Sequence, residues 1–289
     1  MREAAGLERR IEGCRVSLKR VQSAFDESGS DCPHIVLVHG MVDSGATWLP
    51  LLPMLPHLNV WVAEMPWSGL DGVHWPHVMS ATDWWRTALA LCPVRPALCV
   101  GHSFGSLVLL DWALAGPKPE VDALTLLSPF FCDRHRAIEW DELNRFALDV
   151  PQRLAEGLRA RLGSASPSPA LVDGLARRLS ARCMPDAVLE LMRLFLKTRH
   201  ADLTRLSLPL KVVVGSQDGA LVQQSFADLR LAASGLPAAA FHEWAACGHR
   251  PMHESPARLA LLLREQAAAP TPRSRLTTTP TESLECLPA

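Results

Sequence analysis

Residues 98–112 read LCVGHSFGSLVLLDW. A short apolar run meets a Gly-x-Ser-x-Gly pentapeptide and then turns apolar at helical spacing. The pentapeptide fits an exposed serine nucleophile, and it also fits a structural serine in a glycine-flanked turn. The choice depends on a strand before it, a helix after it, and partners elsewhere that could activate a hydroxyl.

Outward from this stretch, HIVLVHG (34–40), ALCVGHS (97–103) and LKVVVGS (210–216) are short, rich in valine or leucine, and run into glycine. They read as buried strands, as do NVWVAEM (59–65), ALTLLS (123–128) and, more weakly, AAAFHEW (238–244). Helical patterns lie between them: the proline-interrupted TWLPLLPML, then ATDWWRTALALC, then SLVLLDWALAG. Strands alternating with helices predict an α/β fold, with a mostly parallel central sheet and helices on both faces.

The alternation lapses between about residues 130 and 205, where IEWDELNRFALDV, PQRLAEGLRARL, SPALVDGLARRLSARC and PDAVLELMRLFLKTR follow one another. Charged residues interleave with leucines at i, i+3, i+4, as in amphipathic helices. The division read from this is a core of residues 1–130 and 205–267, a helical cap at 131–204, and a tail at 268–289. The tail is rich in threonine, proline and alanine without periodicity and is expected to be disordered. A cap over a parallel sheet would lie at the carboxyl ends of the strands, where ligands bind in such folds.

The chain's 289 residues suffice to bury a full core, and 48% are hydrophobic and 20% charged, which is ordinary globular composition. A formal net charge of −1 gives no electrostatic case for nucleic acid or a basic membrane-facing surface. The sequence has no tyrosine, so no tyrosine hydroxyl can act as acid, base or oxyanion donor. Its eight cysteines are scattered, none in a C-x-x-C pair, and several lie in apolar runs. With a polar N-terminus and no long apolar segment, this is the pattern of a reduced, cytoplasmic protein without membrane insertion. Cys99 and Cys247 lie near the motifs below, and core packing is the default reading for both. No histidine or cysteine cluster has metal-ligand spacing, and the main nucleotide-binding patterns are missing, so neither metal nor cofactor is expected.

Four segments in order resemble the α/β-hydrolase superfamily, and the likeness covers roughly residues 30 to 265. HGMVDSGATW (39–48) resembles the oxyanion loop, and GHSFG (101–105) the nucleophile elbow. GSQD (215–218) is similar to the acid loop, and CGHRPMHESP (247–256) to the family's G-H-x-P-x-x-E-x-P segment. The resemblance implies Ser103 as nucleophile, His249 as its base and Asp218 as the acid that orients the imidazole, in the chain order Ser, Asp, His. It also implies an oxyanion hole made by the backbone N–H groups of Met41 and Phe104. Gly101 and Gly105 would leave room for a tight strand-to-helix turn, with His102 packed under it and Asp43 and Ser44 fixing the oxyanion loop.

Alternatives stand beside these. Asp133, or less well Asp122, could supply the acid, since some relatives carry it after the strand before the cap. His242 and His253 read as structural histidines. EMPWSGLDG (64–72) departs from the relatives' D-x-P-G-x-G-x-S pattern, with Trp67 where glycine is usual, so that loop is expected to be rebuilt. Trp48, Trp67 and Trp75 either line an apolar pocket or pack beneath the cap.

The function expected from the resemblance is hydrolysis of an ester or thioester of a small or medium apolar molecule through an acyl-serine intermediate. The same site could instead serve a non-hydrolytic reaction (elimination, cyclisation, acyl transfer or carbon–carbon cleavage), or the fold could be kept as a ligand-binding, receptor-like protein. A serine at the elbow argues against dehalogenase-like and epoxide-hydrolase-like chemistry, which resemble this fold with an aspartate there. The oligomeric state is left open.

Overall fold

The computed structural model describes residues 7–24, 32–70, 79–115, 120–144, 158 and 168–269. The described strands form one eight-stranded sheet, in the order β1-β2-β4-β3-β5-β6-β7-β8. They are β1 (Leu7–Ile11), β2 (Cys14–Gln22), β3 (His34–Val38), β4 (Asn59–Glu64), β5 (Leu98–His102), β6 (Ala123–Leu127), β7 (Leu210–Gly215) and β8 (Ala239–Trp244). β1, β2 and β4 pair antiparallel, and every other pairing is parallel.

The inner parallel strands β3, β4, β5, β6 and β7 are mostly apolar because both faces are covered, whereas the edge strand β8 is only partly buried. Ile35 and Leu37 of β3 enter one cluster with Leu98, Val100, Val213, Trp244 and Leu259. Val36 and Val38 enter the other with Cys99, Leu124, Leu126, Val212 and Val214. The N-terminal hairpin is an element the sequence reading did not separate from the polar N-terminus. β1 is exposed nearly throughout, while Cys14, Val16 and Leu18 of β2 alternate inward. The proline-interrupted segment after β3 does not form a continuous helix. It makes two short 3-10 turns, Gly45–Trp48 and Leu52–Met54.

The helices are α1 (Ala81–Ala90), α2 (Phe104–Ala115), α3 (Pro169–Ala181), α4 (Pro185–Lys197), α5 (Ala220–Ala232), α6 (Pro251–Glu254) and α7 (Pro256–Ala268). α2 is buried on nearly every side, as its apolar composition requires. Its Asp111 is the exception: it accepts from Thr82 Oγ1 at 2.6 Å and meets Lys197 Nζ at 2.6 Å. Lys197 lies on α4, and Glu190 of the same helix accepts from the N–H of Ala81 at 2.9 Å. α4 also sends Leu191, Leu194 and Phe195 into the cluster that holds Trp85 and Trp112.

Between β6 and β7 the described chain is helical at 140–144, α3 and α4. Residues 145–157 and 159–167 of the expected cap lie outside the described residues, as do Trp75 and the tail from residue 270.

α2 approaches β3 so closely that a Cβ at Gly105 would stand 2.7 Å from the carbonyl oxygen of His39 and 2.8 Å from that of Val38. Backbone on both sides leaves little room to yield. Gly105→Ala is therefore expected to destabilise the fold by about 1–3 kcal/mol, the usual cost of overpacking, read as a lowered urea midpoint. An unchanged midpoint would contradict this close approach.

Candidate active site

β5 ends at His102 and α2 begins at Phe104, so the whole change of direction falls on Ser103. Ser103 sits at φ 53°, a left-handed conformation that is uncommon for a non-glycine residue. Its N–H donates to the Leu127 carbonyl at 2.8 Å, which ties the elbow to β6. The buried Ser106 hydroxyl adds a second tie: it lies 2.6 Å from the Gly101 carbonyl and accepts from the N–H of Leu127 at 3.0 Å.

Asp218 stands in the turn after β7 and His249 in the loop after β8. The His249 Nδ1–H faces both carboxylate oxygens of Asp218, each at 3.0 Å. The Asp218 side chain is almost wholly buried while that of His249 is 37% exposed, so the imidazole is at the surface end of the pair. Burial works to raise the Asp218 carboxyl, but His249, the Ser128 hydroxyl and the Gly219 N–H outweigh it and hold the pKa below the ordinary value. Asp133 is engaged elsewhere: its N–H reaches Asp228 and its carboxylate accepts from the N–H of His135 at 2.7 Å. Asp122 accepts from Arg95 at 2.9 Å. Of these three acids, the one at the His249 ring is Asp218.

The His249 loop is held by several ties. Glu254 accepts from the N–H groups of Gly248 and Arg250. The Gln217 N–H reaches the Cys247 carbonyl at 2.8 Å, joining the acid turn to this loop. His102 Nε2 lies 2.8 Å from the carbonyl oxygen of His249, and the two rings are 5.0 Å apart. His253 turns away to Thr47 Oγ1 at 3.2 Å.

The loop after β3 closes the other side. Gly40 lies against the elbow, where a Cβ would stand 3.2 Å from that of Ser103. Met41 is buried and Val42 adopts φ 59°, an unusual angle for a β-branched residue. Phe104 opens α2, and the N–H groups of a helix's first turn point out of its N-terminal end.

Trp67 is bound into this loop rather than standing apart from it. Its Nε1–H donates to the His39 carbonyl at 3.2 Å, and its own carbonyl accepts from Val42 N–H at 2.9 Å. The ring packs edge-on to Phe104 at 5.1 Å and is fully buried. Trp48 is also fully buried, in the cluster on the opposite face of the sheet. The His39 ring turns its Nδ1–H to the Gly40 carbonyl and accepts from the N–H of Met65 at 3.0 Å.

Asp43 joins the loop after β3 to the His249 loop. Its carboxylate accepts from Arg250 Nη1 at 2.6 Å, with the side chains only 15% and 12% exposed. Burial works to raise the Asp43 pKa, yet Arg250, with His102 and His39 nearby, brings it down to about 2. Among the described residues no group of three or more histidine, cysteine, aspartate or glutamate side chains is arranged to hold a metal ion. No described helix is long and apolar enough to cross a membrane.

With this geometry in view, comparison with known proteins places the chain. Residues 35–260 match the model of the alpha/beta hydrolase family, and the chain belongs to that family. A sequence search of curated proteins finds no significant match. Among solved structures, the chain is similar to a bacterial membrane phospholipase A described as a virulence factor. The two are 20% identical with a TM-score of 0.66, over 91% of this chain and 86% of that one. It is similar as well to Cfl2 from Burkholderia cenocepacia, at 20% identity and a TM-score of 0.65, covering 90% and 94% of the two chains. Epoxide hydrolase A from Mycobacterium thermoresistibile aligns at 17% identity and a TM-score of 0.64, over 91% and 98%. Likeness at this distance extends to the fold and leaves the reaction to be argued from the site.

The buried Asp43–Arg250 pair generates a test. Removing one partner strands the other charge away from water, so Asp43→Ala or Arg250→Met alone is expected to cost about 3 kcal/mol, and the double variant less than the sum. Because the Asp43 pKa is depressed, its contribution is complete above the ordinary value of 3.8 and is lost as the pH falls toward 2. Urea unfolding of the four proteins of the cycle measures the coupling, and strictly additive losses would contradict it.

Proposed function

We propose that this chain is a serine hydrolase that cleaves an ester or thioester of a small or medium apolar molecule. The observation that carries the reading is the imidazole of His249, set on the buried Asp218 carboxylate, in a loop bonded to His102, the neighbour of a serine held in a left-handed turn. A serine hydroxyl attacks a carbonyl only when a base takes its proton. His249 fills that role, and the Asp218 carboxylate keeps the imidazole proton on Nδ1, which leaves Nε2 to accept. Attack by Ser103 Oγ on the carbonyl carbon gives a tetrahedral oxyanion, received by the N–H groups of Phe104 and Met41. Collapse expels the alcohol or thiol, protonated by His249, and leaves an acyl-Ser103 ester. Water deprotonated by the same imidazole then attacks that ester and releases the acid.

The serine at the elbow favours this path over the chemistry of the epoxide-hydrolase-like relatives. The helices between β6 and β7 are assigned as a cap that encloses the substrate. In support, Arg182, which follows α3, donates to the Ser68 carbonyl and lies against Gly69, in the loop at the carboxyl end of β4. The partner is a small molecule, and no step calls for a cofactor.

A fluorophosphonate probe is expected to label the protein, and Ser103→Ala to abolish that labelling. On a panel of p-nitrophenyl esters and acyl thioesters, Asp218→Asn should lower kcat by up to about 10⁴-fold through the wrong imidazole tautomer, while Asp133→Asn stays near the parent. Labelling that survives Ser103→Ala would remove the nucleophile assignment. Probe labelling without turnover of any panel member would favour a non-hydrolytic reaction at the same serine.

A further inference from the structure

His102 is the last residue of β5, the covalent neighbour of Ser103, and only 2% exposed. Burial, and then the nearby charges of His249 and Arg250, push its pKa down to about 3 against the opposing pull of Asp43, so the ring is neutral. A carbonyl only accepts, so the single ring proton is on Nε2 and is donated to the His249 oxygen at 2.8 Å. Nδ1 is then a bare acceptor, buried and without a hydrogen-bond partner among the described residues. Leaving a buried acceptor unsatisfied costs about 1–3 kcal/mol, which an apolar side chain of similar size would avoid. The compensating feature at this position is the Nε2–H donor.

What that donor holds is specific. The direction of the His249 side chain follows from its backbone, and the backbone has several ties. The Gly248 and Arg250 N–H groups are bound by Glu254, a residue of the same loop and its helix. The Cys247 carbonyl is tied to the acid turn, and the Arg250 side chain to Asp43 of the loop after β3. These tie the His249 loop to itself, to the acid turn and to the loop after β3. The His249 carbonyl ties it to the nucleophile, because its donor adjoins Ser103 in the chain. Ser128, just after β6 and at φ 49°, places its hydroxyl 3.3 Å from the same oxygen, and its single proton is shared between that carbonyl and the Asp218 carboxylate.

We propose that His102 is a positioning residue: by holding the His249 carbonyl from the position next to Ser103, it sets the distance and angle between base and nucleophile. The inference rests on the Ser103–Asp218–His249 reading above.

The test compares His102→Gln with His102→Met, which are close in size and differ in whether a donor is present. The readout is the second-order rate of fluorophosphonate labelling across pH, with circular dichroism to confirm folding. Displacing a catalytic group by about 1 Å can cost about 100-fold, so the Met variant should label on that order more slowly. Its rate should also lose the pH dependence that general-base assistance imposes. The Gln variant should restore most of the rate and regain the pH dependence. If the Met variant does not fold, His102→Asn serves instead, because its shorter amide stops short of the carbonyl and should behave as Met would. Equal rates and pH profiles for the variants with and without a reaching donor overturn the proposal, because a purely packing role predicts that equality. The Ser103→Ala control separates the failures: residual labelling there overturns the nucleophile reading and this inference with it. Ser103-dependent labelling with equal Gln and donor-lacking variants overturns the inference alone.

Discussion

The chain passes from β5 into α2 through one residue in a left-handed turn, and the arrangement of the site depends on that turn. A non-glycine residue keeps such a conformation only when its surroundings over-determine it. Here Ser103 N–H is bound to β6, the Ser106 hydroxyl bridges β5 and β6, and Gly105 brings α2 against β3. The helix is apolar on nearly all sides, so burial between the sheet and α4 holds it where the turn delivers it. The energy of the core is thereby used to keep one hydroxyl at the carboxyl edge of the sheet.

Around the elbow, polar groups are buried in pairs. Asp218 is matched by His249, Asp43 by Arg250, and the His39 ring by the Gly40 carbonyl and the Met65 N–H. Each pair joins two loops that leave different strands. Since an unpaired buried charge or polar group is costly, each pair fixes the separation of the loops it joins. Trp67 does similar work with its ring, an indole N–H bonded to the His39 carbonyl and a carbonyl that accepts from the Val42 N–H. That accounts for a bulky residue where relatives commonly have glycine: the ring and its carbonyl hold the loop after β3 from below.

Much of the parallel sheet was legible because its inner strands are buried on both faces and so read as short apolar runs, those of β3, β5 and β7 running into glycine. The hairpin β1–β2 was not, because β1 is LERRI, nearly all exposed, and β2 alternates inward only at Cys14, Val16 and Leu18. The segment 47–55 has apolar residues at helical spacing, but its prolines limit it to two 3-10 turns. Within the site, the four motifs locate Ser103, Asp218 and His249, while Arg250 and Ser128 carry no local pattern that would mark them. Glu254 is a partial exception, since it occupies the glutamate of the motif that contains His249.

By itself the sequence determined the fold family and the order of the strands' apolar runs, and it marked the serine proposed as nucleophile. These follow from local properties: hydrophobic period, glycine at tight turns, and residue types at short spacings. The tertiary structure decided which carboxylate meets the His249 ring, that Trp48 and Trp67 are wholly buried, and that His102 grips a carbonyl 147 residues away in the chain. Such contacts depend on where separate strands end in space. Side chains of one type at those ends are equivalent in sequence until the sheet assembles and only some come within hydrogen-bond reach.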